Sequence, residues 1–204
     1  MLRSAIVVFC GNPLRDEQQK NLPPRFLSRL HESLLRRLRT LDADVYVARH
    51  DDHRFHVGDA SWPIASLGSQ IDTALRFCFD RGHQRVVIVA GDAPVDESIV
   101  RRALDATSPV IAASSDGGFA LAGFNAPPPI DWDDVVADRA RAAQALREHV
   151  DVVDLPRVDD IDTLEDARRL LHDVPRTDYA SFMLPADPRA LAPSRPAPRA
   201  PPSF

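Results

Sequence analysis

In Val86-Val87-Ile88-Val89-Ala90-Gly91-Asp92-Ala93-Pro94, apolar residues follow one another without alternation before a glycine, a carboxylate and a proline. A strand with one wet face alternates apolar and polar side chains, whereas a continuous run suits a strand buried on both faces. The Gly-Asp-Ala-Pro end suits a turn into a helix beginning near Asp96. Runs of the same kind stand at 5–9, 45–48 and Val110–Ala113. Between them lie segments with helical spacing, such as Phe26, Leu27, Leu30, Leu34, Leu35 and Leu38, or Ile71, Ala74, Leu75 and Cys78. The order β-α-β-α-β-α-β predicts an α/β fold with right-handed crossovers. A mostly parallel sheet then lies between helices on both sides, a three-layer α/β/α sandwich. Ligands of such sheets gather outside the carboxyl ends of the strands, which is where Asp92 falls.

Beyond 110–113 the pattern changes. Ser114-Ser115-Asp116-Gly117-Gly118 reads as a loop leading into a further strand at Phe119–Phe124, an antiparallel excursion that makes the sheet mixed. A helix over 132–148, a strand over 152–155 and a helix opened by Thr163, with Glu165 and Asp166 in its first turn, follow. That helix is expected to stop near Asp173, so one domain spans 1–173. Eight prolines in the last 30 residues predict a disordered Pro/Arg-rich tail over 174–204.

The composition excludes several classes. With 204 residues, 44% hydrophobic and 27% charged, the chain suits a single globular unit with one core. A formal net charge of −5, and a single lysine, Lys20, among 25 basic residues, leave no basic stripe for nucleic acid. No apolar run approaches the roughly 20 residues of a membrane span, and no secretory leader is legible, so a cytoplasmic location is expected. Cys10 and Cys78 are too few for a disulfide framework and read as reduced, structural residues. Nothing matches a Ser-His-Asp triad, and eight glycines leave no Gly-rich phosphate cradle.

Candidate chemistry falls in three places. Asp92 at a strand end can hold a divalent cation, or simply tighten a turn. In Asp116-Gly117-Gly118 the missing Cβ atoms allow a ligand to approach the backbone, or allow an ordinary turn. Asp159-Asp160-Ile161-Asp162-Thr163-Leu164-Glu165-Asp166 packs five acids into eight residues at a strand-to-helix junction. A helix start attracts acids, but carboxylates at Asp160 and Asp162 repel each other, and a bound metal would relieve that. Two lesser features read as solvated surface: the segment His50-Asp51-Asp52-His53-Arg54-Phe55-His56, taken as a polar loop rather than a zinc site, and the arginines Arg139, Arg141 and Arg147.

Over about 4–173 the chain resembles the glycosyltransferase-like GT-A-fold proteins of the nucleotide-diphospho-sugar transferase superfamily, including the group labelled arsenosugar biosynthesis glycosyltransferase. The resemblance rests on Phe9-Cys10-Gly11-Asn12-Pro13, Leu67-Gly68-Ser69-Gln70-Ile71, Gly91-Asp92-Ala93-Pro94, Asp116-Gly117-Gly118-Phe119-Ala120-Leu121-Ala122-Gly123-Phe124, Ile130-Asp131-Trp132 and Asp160-Ile161-Asp162-Thr163-Leu164-Glu165-Asp166. It implies Mg²⁺ or Mn²⁺ held by Asp92 with Asp160 or Asp162, and a sugar passed from a nucleotide-activated donor to a small-molecule acceptor. Asp92 and Asp116 would be the catalytic carboxylates, Asp116 orienting or deprotonating the acceptor hydroxyl. Gly11, Pro13, Arg15, Lys20, Gly68, Gly91, Gly117 and Gly118 would meet the donor. Nucleotidyl transfer from an NTP to a phosphorylated acceptor is the alternative within the same superfamily. A catalytically silent scaffold, with its tail as partner segment, is the alternative outside enzymes.

One stretch departs from the family pattern. Where the family carries a glycine and then Lys-Thr-Arg-Leu, a basic loop that would meet the nucleotide phosphates, this chain has an altered loop that reads Leu14-Arg15-Asp16-Glu17-Gln18-Gln19-Lys20-Asn21-Leu22. Asp16 and Glu17 are expected to bring negative charge where phosphates would lie, unless Arg15 and Lys20 turn inward.

Overall fold

The computed structural model describes residues 3–172 apart from Pro24 and Asp52, so the expected tail lies outside the described residues. The strand that carries Asp92, β5 (Arg85–Ala90), pairs in parallel with the first strand, β1 (Ser4–Phe9), which pairs in parallel with β2 (Asp44–His50). On β5's other side lies β7 (Phe119–Phe124), antiparallel to it, inserted before β6 (Val110–Ala113). A hairpin of β3 (Arg54–Val57) and β4 (Ala60–Pro63) extends one edge and the short β8 (Val153–Asp154) closes the other. The result is one mixed eight-stranded sheet in the order β4-β3-β2-β1-β5-β7-β6-β8.

Burial on both faces explains the continuous apolar runs. Ala5 and Val7 of β1 and Val86 and Ile88 of β5 point into one core, beneath α3 (Leu67–Asp80), α5 (Trp132–Val136) and α6 (Ala142–His149). Ile6, Val8, Val87 and Val89 point into the other, beneath α2 (Phe26–Leu38) and α4 (Glu97–Asp105). Each such fully buried Val or Ile contributes about 1.5–3 kcal/mol of transfer free energy. A third, smaller cluster joins Phe26, Leu27 and Leu30 of α2 to Ile161 and to Ala167 of α7 (Leu164–His172). Thr163 and Asp166 open α7 reciprocally: the Asp166 amide donates to Thr163 Oγ1 at 3.1 Å and the Thr163 amide to Asp166 Oδ2 at 3.0 Å.

Four expectations need correction. The helix expected over 132–148 is broken into α5, one 3-10 turn (Arg139–Arg141) and α6. Asp138 starts the new turn by accepting the Ala140 amide at 3.1 Å, and the chain leaves the helix to lie against Gly117, whose carbonyl accepts the Ala143 amide at 3.0 Å. The strand expected over 152–155 shrinks to Val153–Asp154. The stretch 50–56, expected as loop, is the β2–β3 hairpin. Asp51 accepts the amides of His53 and Arg54 at 2.9 and 2.7 Å and meets His56 Nε2 at 3.0 Å, all of which hold its carboxyl well below the usual carboxylate range. Among the described residues its histidines join no metal-holding group. Finally, Pro13–Gln19 is a helix, α1, with the Asn12 side chain accepting the Arg15 amide at 3.3 Å and proline in the first turn. Among the described residues no helix is long and apolar enough to cross a membrane.

Candidate functional site

One residue separates Asp92 from the end of the buried β5, and that residue is still held by the sheet: the Gly91 amide donates to the Phe9 carbonyl at 2.9 Å. The acidic stretch reaches it from the far edge. Leaving β8, the chain runs along β6, with the Leu155 amide on the Ile111 carbonyl and the Val158 amide on Ala113, and then pins the Ile161 amide to the Asp92 carbonyl at 3.0 Å. That last bond flanks Ile161 with Asp160 and Asp162 at Asp92's side. Carboxylate oxygens of Asp92, Asp160 and Asp162 lie within 4.8 Å of one another. Asp159 is spent elsewhere, accepting from the Ser115 amide at 2.9 Å and from Arg169 at 3.2 Å.

Lys20 enters this cluster from α1. Its ammonium donates to Asp92 Oδ2 at 2.7 Å and to the Ile161 carbonyl at 2.8 Å, and lies 2.7 Å from Asp162 Oδ1. The backbone beneath it is fixed by a neighbour. Glu17 is buried, and its carboxylate accepts the amides of Arg25 and Leu27 at 2.9 and 2.8 Å, satisfying free donors at the start of α2. The expectation that Glu17 puts charge among phosphates is thus overturned, because its side chain turns into the protein to cap a helix. Lys20 turns inward, while Arg15 is exposed and off the cleft. Asn21 takes the left-handed conformation (φ 50°) that returns the chain toward α2.

These groups form one wall of a cleft of about 520 Å³ at the carboxyl ends of β1 and β5. Asp16, Asp92, Asp116, Asp160 and Asp162 line it with Lys20, Arg49 and Arg139, a formal excess of two negative charges with neutral histidines. The crowding registers in the titration of its members. Burial, and then the charges of Asp162, Asp92 and Asp116, push Asp160 up to about 6. Burial raises Asp16, with Lys20 pulling it down and Asp92 pushing it up. Burial alone would lower Lys20, but Asp92 and Asp162 overcome it and the ammonium is held above its usual range. Burial, reinforced by Asp92, pushes the Cys10 thiol up to about 12, so it is an inert wall residue.

Of the expected donor residues, Gly11, Lys20 and Gly118 line the cleft, whereas Pro13, Arg15, Gly68, Gly91 and Gly117 do not. The glycines among the latter serve packing. A Cβ on Gly68 would lie 2.4 Å from the Asp133 amide nitrogen, and one on Gly91 2.7 Å from the Phe9 carbonyl. Gly117 has φ 94° and would drive a Cβ to 1.8 Å from the Ala140 carbonyl oxygen. Asp116 lines the cleft but commits Oδ1 to its own loop, accepting from the Gly118 amide at 2.9 Å and from the Ser114 hydroxyl. Sequence reasoning missed His31, a buried wall residue whose pKa burial lowers. The available signal was its place on the apolar stripe Leu27, Leu30, His31, Leu34. Apolar residues, Phe9, Phe55, Ile71 and Phe119 among them, also line the cleft.

Among solved structures, the fold matches that of a "putative nucleotide-diphospho-sugar transferase" from Desulfovibrio desulfuricans G20 with a TM-score of 0.70 and 22% identity, over 88% of this chain and 94% of that one. HddC from Yersinia pseudotuberculosis aligns over 89% of this chain and all (100%) of its own at 10% identity, with a TM-score of 0.37 that supports no further comparison. No protein-family model and no curated protein matches the chain. The first likeness establishes an α/β fold with a mixed sheet shared with that protein; it does not reach the arsenosugar group.

Proposed function

We propose that this protein is a transferase that binds a nucleotide-activated sugar in the cleft beside Asp92 and passes the sugar to a small-molecule acceptor, with Mg²⁺ or Mn²⁺ held by Asp92, Asp160 and Asp162. The observation that carries this reading is the convergence of three carboxylates, from positions 92, 160 and 162, at the ligand-bearing edge of the sheet. The donor set suits the ion: hard oxygens in a cleft with surplus negative charge, the Asp160 carboxyl pushed up to about 6 by burial first and then by the charges of its neighbours. A diphosphate entering such a cleft meets repulsion unless a cation comes with it. When bound, the ion would neutralise the oxygens of the departing nucleoside diphosphate.

The chain's own residues do the rest. Asp92, fixed by the backbone of β5 and by the Ile161 amide, supplies the rigid ligand. Gly11 and Gly118 offer backbone without side-chain bulk on the cleft wall. Asp116, with Oδ2 outside its loop's bonds, is the group to orient or deprotonate an acceptor hydroxyl. We assign this activity to a unit spanning 1–173, with 174–204 as an appended tail. Two buried, unpaired cysteines suit the reducing cytoplasm.

Calorimetry with UDP-, GDP- and dTDP-sugars and Mn²⁺ tests the reading. One of them is expected to bind the wild type only with metal and to lose that binding in Asp92→Asn, with the fold unchanged by circular dichroism. Unchanged affinity in the variant refutes it. Release of pyrophosphate from an NTP and a phosphorylated acceptor would assign nucleotidyl rather than sugar transfer.

A further inference from the structure

We infer that Lys20 is the resident counter-ion of the acidic cluster, and that a divalent cation enters only by displacing its ammonium, so that this one side chain sets the metal affinity of the site. The inference rests on the metal reading above and adds a competitor to it.

The geometry is that of a coordinated ion rather than a surface pair. An ammonium has three N–H donors, and here three oxygens surround it: Asp92 Oδ2 at 2.7 Å, Asp162 Oδ1 at 2.7 Å and the Ile161 carbonyl at 2.8 Å. The Lys20 side chain is 19% exposed. Two of its three partners belong to the carboxylate group that could hold a metal. A divalent ion of the Mg²⁺ kind needs oxygens at about 2.0–2.1 Å, so it and the ammonium cannot share the same carboxylates without standing in direct repulsion.

Residue type points the same way. The chain uses one lysine among 25 basic residues, and it stands here. A planar guanidinium pairs with carboxylates in a fork, whereas a compact ammonium on a flexible stem can fill a point between converging oxygens and leave by rotating its own side chain. The backbone need not move, because Glu17 anchors α1 to the start of α2. Once displaced, the ammonium needs a new anion, and a donor diphosphate in the cleft offers one. Metal and diphosphate should therefore each strengthen the other's binding, by the same factor.

The test is binding of Mn²⁺ alone, without nucleotide, followed by electron paramagnetic resonance and calorimetry on the wild type, Lys20→Met and Lys20→Arg, with Lys20→Gln as the substitute should the methionine variant fold poorly. Loss of the ammonium is expected to tighten Mn²⁺ at least about tenfold, since the ion no longer has to break a part-buried charge pair. Lys20→Arg, which keeps the charge but pairs with carboxylates in a fork, should bind Mn²⁺ no more tightly than wild type. A merely structural role for Lys20 would weaken the metal or leave it unchanged. Equal Mn²⁺ affinity in wild type and Lys20→Met, with both binding, overturns displacement while the metal reading stands. If neither binds Mn²⁺, the metal reading falls and takes the inference with it.

Discussion

Asp160→Asn should make the protein more stable at neutral pH, although it deletes a residue of the candidate site. The Asp160 carboxyl titrates at about 6 instead of 3.8, from burial first and then from the charges of Asp162, Asp92 and Asp116. A carboxylate whose folded pKa lies above its unfolded value keeps a proton that the unfolded chain has already released. Between about pH 4 and 6 the folded state therefore binds more protons, and stability falls as pH rises through that window. Above it the full penalty is present. Two pKa units correspond to about 3 kcal/mol, which water reaching this half-buried group reduces to about 1–2 kcal/mol. Asparagine removes the charge and keeps the shape. Melts at pH 7.5 in the presence of a chelator should place the variant roughly 2–8 °C above wild type, from about 2–4 °C per kcal/mol for a chain of this size. At pH 4 the two curves should converge, and Mn²⁺ at pH 7.5 should raise wild type more than the variant. A variant no more stable than wild type at pH 7.5, or an advantage that persists undiminished to pH 4, would refute the reasoning.

Other perturbations probe the frame around the cluster. Glu17→Gln turns one of the two acceptor oxygens into a donor facing an amide of Arg25 or Leu27, and should cost about 2–3 kcal/mol in urea unfolding, because a buried donor is left unpaired; a loss below about 0.5 kcal/mol would show that the cap is dispensable. Gly117→Ala forces a Cβ against the Ala140 carbonyl oxygen at a φ of 94°, and should lower the melting temperature by several degrees, about 2 kcal/mol or more; an unshifted melt would show that the 3-10 turn yields freely. Asp16→Asn removes one of the negative charges lining the cleft, and should tighten nucleoside diphosphate about two- to fivefold in low-salt calorimetry, with the gain fading as salt screens it; unchanged affinity would place the phosphates away from α1.

What could be read from the sequence follows from where burial comes from. The β1 and β5 runs were legible because Val86 and Ile88 enter one core and Val87 and Val89 the other, so neither face leaves a polar mark. Thr163 and Asp166 announced α7 through a cap that is local. The β3–β4 hairpin was hidden, since Arg54, Phe55, His56 and Val57 alternate over only four residues in a stretch full of charge. The break at Asp138 was hidden for another reason: its cause, the Gly117 loop, is distant in sequence and meets Ala140 only in the folded chain. The meeting of Asp92 with Asp160 and Asp162 has the same character. It depends on a backbone bond from Ile161 to Asp92, and spacing alone did not reveal it; resemblance to a family suggested it.

The segment 14–22 shows why a charge pattern needs a conformation before it has a direction. Read as a loop, Asp16, Glu17 and Lys20 are interchangeable contributions to one local field, with the two acids outnumbering the lysine. As α1 they acquire a phase. Residues four apart share a helix face, so Asp16 and Lys20 point together at the cleft, while Glu17, one step round, points into the protein and Arg15 into solvent. The acid that was expected to repel phosphate is the one that fixes α1 against α2, and the lysine it thereby positions is the cation that faces Asp92 and Asp162. A glycine in place of Asp16 would remove a charge from the cleft face and weaken the helix that aims Lys20. The segment therefore forms a short, anchored helix that presents a single ammonium to the carboxylates.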